Sequence, residues 1–177
     1  MSTFELWSLI GIYFTGIATF SAAGIALYIA HRGEKVGLRI LAGLRVLMDE
    51  LNSSDIVWIE ITNVRPRLTV VTGVSCRISR LNGTYTYAVP SPAAIAGRIP
   101  ASLQDGQSVT LTLQLEWLKN LAKQLADKIP EGELKVAINS VMIVANTSSG
   151  KTFLEKPEQP IIDHLYEEAV KCVPPRN

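Results

Sequence analysis

QSVTLTLQL, residues 107–115, alternates throughout: Val109, Leu111, Leu113 and Leu115 fall on one face, and Ser108, Thr110, Thr112 and Gln114 on the other. A period of two with apolar and polar residues in turn marks a strand buried on one side and wetted on the other. Turn chemistry precedes it, in Gln104-Asp105-Gly106-Gln107. WLKNLAKQLAD (117–127) follows, with Leu118, Leu121, Ala122 and Leu125 at helical spacing, which predicts one short helix inserted after the strand.

The same period recurs upstream. DIVWIEITN (55–63) places Val57, Ile59 and Ile61 on one face. Pro66 interrupts, and RLTVVTGVSCRIS (67–79) resumes with Leu68, Val70, Val74, Cys76 and Ile78 in phase. TYTYAV (84–89) follows Asn82-Gly83, a hairpin signal. A connection containing Pro90, Pro92 and Pro100 leads back to the opening stretch. Downstream, Pro130-Glu131-Gly132 closes the helix. ELKVAINSVMIVAN (133–146) reads as a strand with a break near Ser140, and KTFLEK (151–156) as the last strand. Short strands separated by turns, without β-α-β alternation, predict a mainly β fold: an antiparallel sandwich over residues 55–156. Two cysteines do not provide an antibody-type framework, so the expected variety is Ig/fibronectin-like, nearer to fibronectin. Residues 157–177 are expected as a short C-terminal helix and a tail.

The amino-terminal end has a different composition. LWSLIGIYFTGIATFSAAGIALYIA (6–30) carries no charge and is long enough to cross a bilayer core of about 30 Å. A cleaved signal would have a positive leader and a shorter apolar core, whereas only Glu5 is charged before the run. A transmembrane helix is therefore expected over 6–31. Ser8, Gly11, Thr15, Thr19, Ala22 and Ala26 share one of its faces. Small residues there let a second helix approach closely, although they are also common in membrane spans generally. No Lys or Arg precedes the helix, while Arg32, Lys35, Arg39 and Arg45 follow it. Basic flanks stay in the cytoplasm, which predicts a single-pass inner-membrane protein with its amino terminus outside and its larger part cytoplasmic.

EKVGLRILAGLRVLMDEL (34–51) places Val36, Ile40, Leu44, Leu47, Met48 and Leu51 on a helical stripe. It is expected as a juxtamembrane amphipathic helix, weakened by Gly37 and Gly43. Three placements are open to it: on lipid, on another copy, or on the domain that follows.

ITNVRPRLTVVTGVSCRI (61–78), IPASLQDGQSVTLTLQLEWL (99–118) and VMIVANTSSGKTF (141–153) together resemble a group of uncharacterised small bacterial membrane proteins. These have an amino-terminal membrane segment and a small all-β domain. The likeness covers most of residues 56–156 and implies a fold and a membrane setting; it implies no chemistry.

Candidate chemistry is sparse. Gly150-Lys151-Thr152 ends a near-match to the phosphate loop G-x-x-x-x-G-K-[ST], but Ala145 stands where the first glycine is needed. TFLEKPEQP follows it, a strand former interrupted by Pro157 and Pro160, where that motif requires a helix. A hairpin turn with Gly150 at positive φ is the expected reading; a nucleotide-dependent switch at Lys151 is the enzymatic alternative. His164 and Glu168 lie at i, i+4 spacing without further ligands nearby. His31 is expected at the membrane interface, and Cys76 as a buried, inert thiol. Arg65-Pro66-Arg67 reads as a solvated loop. A net charge of +1 argues against nucleic acid as a partner. No cofactor, metal or catalytic residue is expected. The function expected is a non-enzymatic membrane-anchored interaction or adaptor protein, in contact with lipid and with a protein partner or further copies of itself. The alternative is a small membrane-active effector, of toxin or exclusion type, acting through the anchor and the amphipathic helix.

Overall fold

The structure, a computed structural model, describes residues 3–33, 36–48, 53–80, 83–89 and 98–173. The chain divides into an amino-terminal unit, Met1–Val36, and a body, Gly37–Asn177.

The first unit is helix α1, Thr3–Gly33, about 46 Å long at 1.5 Å per residue. Its stretch Gly11–Ala30 has a mean hydropathy of 1.6. Two threonine hydroxyls within that stretch bond back into the helix. Thr15 Oγ1 donates to the Gly11 carbonyl and Thr19 Oγ1 to the Thr15 carbonyl, both at 2.8 Å. Such i−4 bonds satisfy a hydroxyl without water.

In the body, β1 (Leu38–Met48) pairs antiparallel with β2 (Ser53–Asn63), and β2 with β6 (Ser108–Gln114), forming a three-stranded sheet. β3 (Thr69–Arg80) is the spine of the second sheet. It takes β4 (Gly83–Ala88) and β5 (Ala101–Leu103) along one edge and β7 (Met142–Thr147) along the other, and β7 pairs with β8 (Thr152–Glu155). Helices α2 (Leu115–Lys128), α3 (Glu131–Asn139) and α4 (Gln159–Cys172) pack on these sheets. One core joins Ile59, Ile61, Ile78 and Leu111 of the strands to Leu125, Ile138 and Leu165 of the helices.

The antiparallel sheets and the α2 helix form as the sequence predicts. Four other expectations are corrected. First, the amphipathic helix expected over 34–51 is not formed: its central residues are β1, paired with β2 from Leu38↔Asn63 to Met48↔Ser53. Residues 34, 35 and 49–51 lie outside the described residues. The segment satisfies both periods, because Ile40 and Leu44 of the helical stripe also fall, with Ala42, on the inward phase of a strand. Two glycines weaken the helical option, and β2 needs a neighbour on its second edge to bury Ile59 and Ile61. The amphipathic helix on which the membrane-active alternative depended is therefore missing.

Second, residues 133–146 hold helix and strand in succession. Leu134, Ala137 and Ile138 are buried at i, i+3, i+4 spacing in α3. Glu131 and Glu133 sit in its first turn, where the helix dipole favours negative charge. Ser140 makes the break: its Oγ accepts from the Ser79 N–H (3.1 Å) and lies 2.7 Å from the Ala137 and Ser79 carbonyls.

Third, the phase of β3 shifts. A β-bulge between Val71 and Gly73 turns Val71 inward together with Val74, Cys76 and Ile78, and leaves Leu68 58% exposed. Fourth, the chain is not mainly β. Helix and strand occur in comparable measure, two helices rather than one lie between β6 and β7, and α4 belongs to the core of the body.

Candidate functional site

The strand directions bring three loops to one end of the body. β1, β3 and β6 begin there; β2, β5 and β7 end there. The loops are Val64–Leu68, Gln104–Gln107 and Ser148–Lys151, and three features singled out in the sequence thereby meet: Arg65-Pro66-Arg67, Asp105-Gly106 and Gly150-Lys151.

Asn63 holds the first two loops. It is fully buried, at the inward phase of β2 two residues beyond Ile61. Its Nδ2 donates to the carbonyls of Arg67 (2.8 Å) and Leu103 (3.0 Å), and its Oδ1 accepts from the Arg65 N–H (3.1 Å). Its main chain donates to Gln107 O (2.9 Å) and accepts from the Gly106 N–H (2.8 Å). Gly106 can supply that N–H because it takes φ of +73°, which side chains with a Cβ resist. In the sequence Asn63 is simply the last residue of a strand. The usable signal was a polar residue at the next inward position of the 57, 59, 61 series.

The third loop is a hairpin. Thr147 N–H donates to Lys151 O and Gly150 N–H to Thr147 O, both at 3.0 Å, with Gly150 at φ +74°. Thr147 Oγ1 lies 2.9 Å from Lys151 O and from Ser149 Oγ. The chain continues into β8, so no helix amino terminus faces the loop, as phosphate binding of that type requires. Ser148 N–H donates to Val70 O (3.0 Å), which fixes the hairpin beside the start of β3.

The surface of this end is basic and apolar together. Arg39, Arg67 and Lys151 are exposed, and Arg65 is half-buried because its side chain lies over Gly37, where an added Cβ would come within 2.6 Å of its Cγ. Val64 N–H donates to Gly37 O (3.0 Å). Val64 is 49% exposed, and Asp105 is the one carboxylate in the three loops.

The other expected site residues are placed apart. Arg45, grouped by sequence with the juxtamembrane bases, is committed to Glu158 at the start of α4. Its two terminal nitrogens reach the two carboxylate oxygens at 2.8 and 2.9 Å, and its guanidinium lies 5.2 Å from the Trp58 ring centroid. Glu158 N–H also donates to Ala42 O (2.8 Å). A Cβ at Gly43 would collide with both charged ends, so this glycine leaves the room the pair occupies. The side chain of Arg32 and all of Lys35 lie outside the described residues. On α1, Gly11, Thr15, Gly16, Thr19 and Ala23 floor a groove between Ile12 and Phe20. Ala22 and Ala26 lie outside its lining, and the side chain of Ser8 is outside the described residues. Burial pushes the Cys76 thiol up to about 12, while Cys172 is exposed. Glu168 turns to Lys171 at 2.6 Å, and among the described residues no group of three or more His, Cys, Asp or Glu could hold a metal ion.

The Arg45–Glu158 pair makes a pH prediction. Hydrogen bonding from Arg45, against a smaller push from burial, holds the Glu158 carboxyl below its ordinary 4.5. Its contribution is therefore present above that value and is lost as pH falls through the lower folded one. Both side chains are 40–45% exposed, so the pair is worth at most about 1 kcal/mol. Melting wild type and Glu158→Gln across pH should show a small gap at neutrality that closes in acid. A gap independent of pH would contradict this assignment.

Fold and site define the chain by architecture: a long apolar helix leading into an α+β body of two antiparallel sheets, with a latched loop cluster at the end where the body begins. A scan against protein-family models found no match, and no curated protein matched the chain.

Proposed function

We propose that the chain is a single-pass, membrane-anchored protein that works by binding rather than by catalysis, with its body in the cytoplasm as an adaptor. The observation that carries this reading is α1. Over Gly11–Ala30 its side chains are exposed along the whole length, Phe20 by 86% and Leu27 by 73%. Soluble proteins rarely leave an apolar surface of that extent in water, so lipid is the fitting solvent. The likeness to small bacterial membrane proteins supports the same setting. Orientation rests on the bases that follow the helix. The non-catalytic reading is supported by how the conspicuous polar residues are used: Asn63 closes loops, Thr147 to Lys151 close a hairpin, and the thiol of Cys76 is buried. An antiparallel sheet pair is what a fibronectin-like fold would have; three helices sharing its core depart from that type.

The native cysteines provide the test of topology. Cys172 is exposed and Cys76 buried, so a membrane-impermeant maleimide should label one thiol, and only after the cells are opened. Labelling in intact cells would invert the orientation. Release of the protein by alkaline carbonate would remove the anchor. Purification from native membranes in mild detergent then decides the binding role: a stoichiometric partner or a defined homo-oligomer is expected, and a lone monomer would count against it.

The groove on α1 favours self-association through the helix. Its threonine hydroxyls are already satisfied, so close backbone approach would supply the contact. Thr15→Leu fills the groove, blocks close backbone approach and should shift the protein towards smaller species. Unchanged oligomer mass in detergent would exclude this face.

A further inference from the structure

The latched loop cluster of the body is itself a surface that fits lipid. Val64 and Leu68, 49% and 58% exposed, bracket Arg65-Pro66-Arg67. Aliphatic side chains of this size alternating with guanidinium groups suit the boundary between headgroups and acyl chains, where the stems meet apolar material and the charges meet phosphate. Arg39 and Lys151 add charge from β1 and from the hairpin, while Asp105 alone opposes them in the loops. The Asn63 hydrogen bonds and the Arg65 packing over Gly37 hold this loop in shape, so little ordering remains to be done on contact. Connectivity sets its position in the chain. Gly37, which accepts from the Val64 N–H, comes four residues after Gly33, the last residue of α1, in the sequence.

We propose that Val64–Leu68, with Arg39 and Lys151 beside it, is a second membrane contact that docks the body on an anionic phospholipid surface. The inference rests on the membrane-anchored reading above and adds the lipid class and the residues. Each basic side chain near an anionic leaflet raises occupancy about fivefold, so removing two should lower the docking equilibrium on the order of 25-fold, and reversing them further.

The test uses the full chain in nanodiscs, with Cys172→Ser removing the exposed thiol. A fluorophore is placed at Ser148→Cys, in the adjoining hairpin, or at Val136→Cys. Val136 is 72% exposed on α3, close to the Ser140 contact with Ser79 near the far end of β3. Quenching by a headgroup nitroxide lipid is then read in phosphatidylcholine discs with and without phosphatidylglycerol. The expected result is quenching at 148 well above that at 136, increased by phosphatidylglycerol and reduced by salt. Arg65→Glu with Arg67→Glu should abolish the difference, and the lysine pair should retain it. Equal quenching at the two positions, or quenching at 148 indifferent to phosphatidylglycerol, would overturn the proposal while leaving the anchor standing. A chain that does not enter discs at all would overturn both. If the glutamate variant melts early, the salt and lipid dependence of the wild type decides alone.

Discussion

Asn63→Leu should destabilise the body by about 3–5 kcal/mol. The leucine is similar in size and suits the apolar phase of β2, so packing alone would predict little change. Three hydrogen bonds decide otherwise. The Leu103 carbonyl loses its donor where Leu103 is 3% exposed, and the bonds to the Arg67 carbonyl and the Arg65 N–H are lost at partly buried positions. Leaving a buried polar group unsatisfied costs about 1–3 kcal/mol, and each partly wetted bond contributes about 1. Asn63→Asp sharpens the test. A carboxylate there would face two carbonyl oxygens that now receive N–H groups, and burial would raise its folded pKa. A raised folded value means stability is retained in acid and lost as pH rises through that value. The aspartate variant should therefore be more stable at low pH than at neutral pH relative to wild type. Denaturant titration of each variant in detergent reads both effects. A leucine variant within about 1 kcal/mol of wild type would mean that water replaces the latch without loss.

Leu165→Ala should cost about 2–5 kcal/mol, the range for emptying a leucine site in a closed core. Leu165 is fully buried on α4, which packs against α2, α3 and β1, whereas its neighbour Tyr166 is 36% exposed. Tyr166→Ala should cost clearly less. Equal effects from the two substitutions would show that α4 lies on the body as an appendage. The contrast matters because α4 comes just after Pro157 and carries Pro160 in its first turn, where sequence suggests a peripheral helix and a tail. In the structure Glu158 begins it, with its N–H on Ala42 and its carboxylate on Arg45. Ile161, Ile162, Leu165 and Ala169 then carry it into the core.

The sequence by itself determined whatever depends on local period and local turn chemistry. The run from Leu6 to Ala30 could only be a helix in an apolar solvent or a core, and no alternative period competes with it. QSVTLTLQL and DIVWIEITN alternate strictly and are strands. Gly150 and Gly106 mark turns because glycine readily takes the positive φ that both adopt. Tertiary structure decided the segments that satisfy two periods. Residues 38–48 read as helix by stripe and strand by alternation, and the second edge of β2 settled the matter, since a strand edge beside a core must be paired or covered. Residues 133–139 were drawn the other way, into α3, because Leu134, Ala137 and Ile138 had a core to enter. The bulge at Val71–Gly73 reversed the inward face of one strand without altering its composition. The candidate site was the least legible part. Its loops are separated in sequence by 36 residues or more, and only strand direction brings them to one end. Asn63, the residue that joins two of them, looks local in the chain because its partners are main-chain groups, and main-chain partners leave no mark in a sequence.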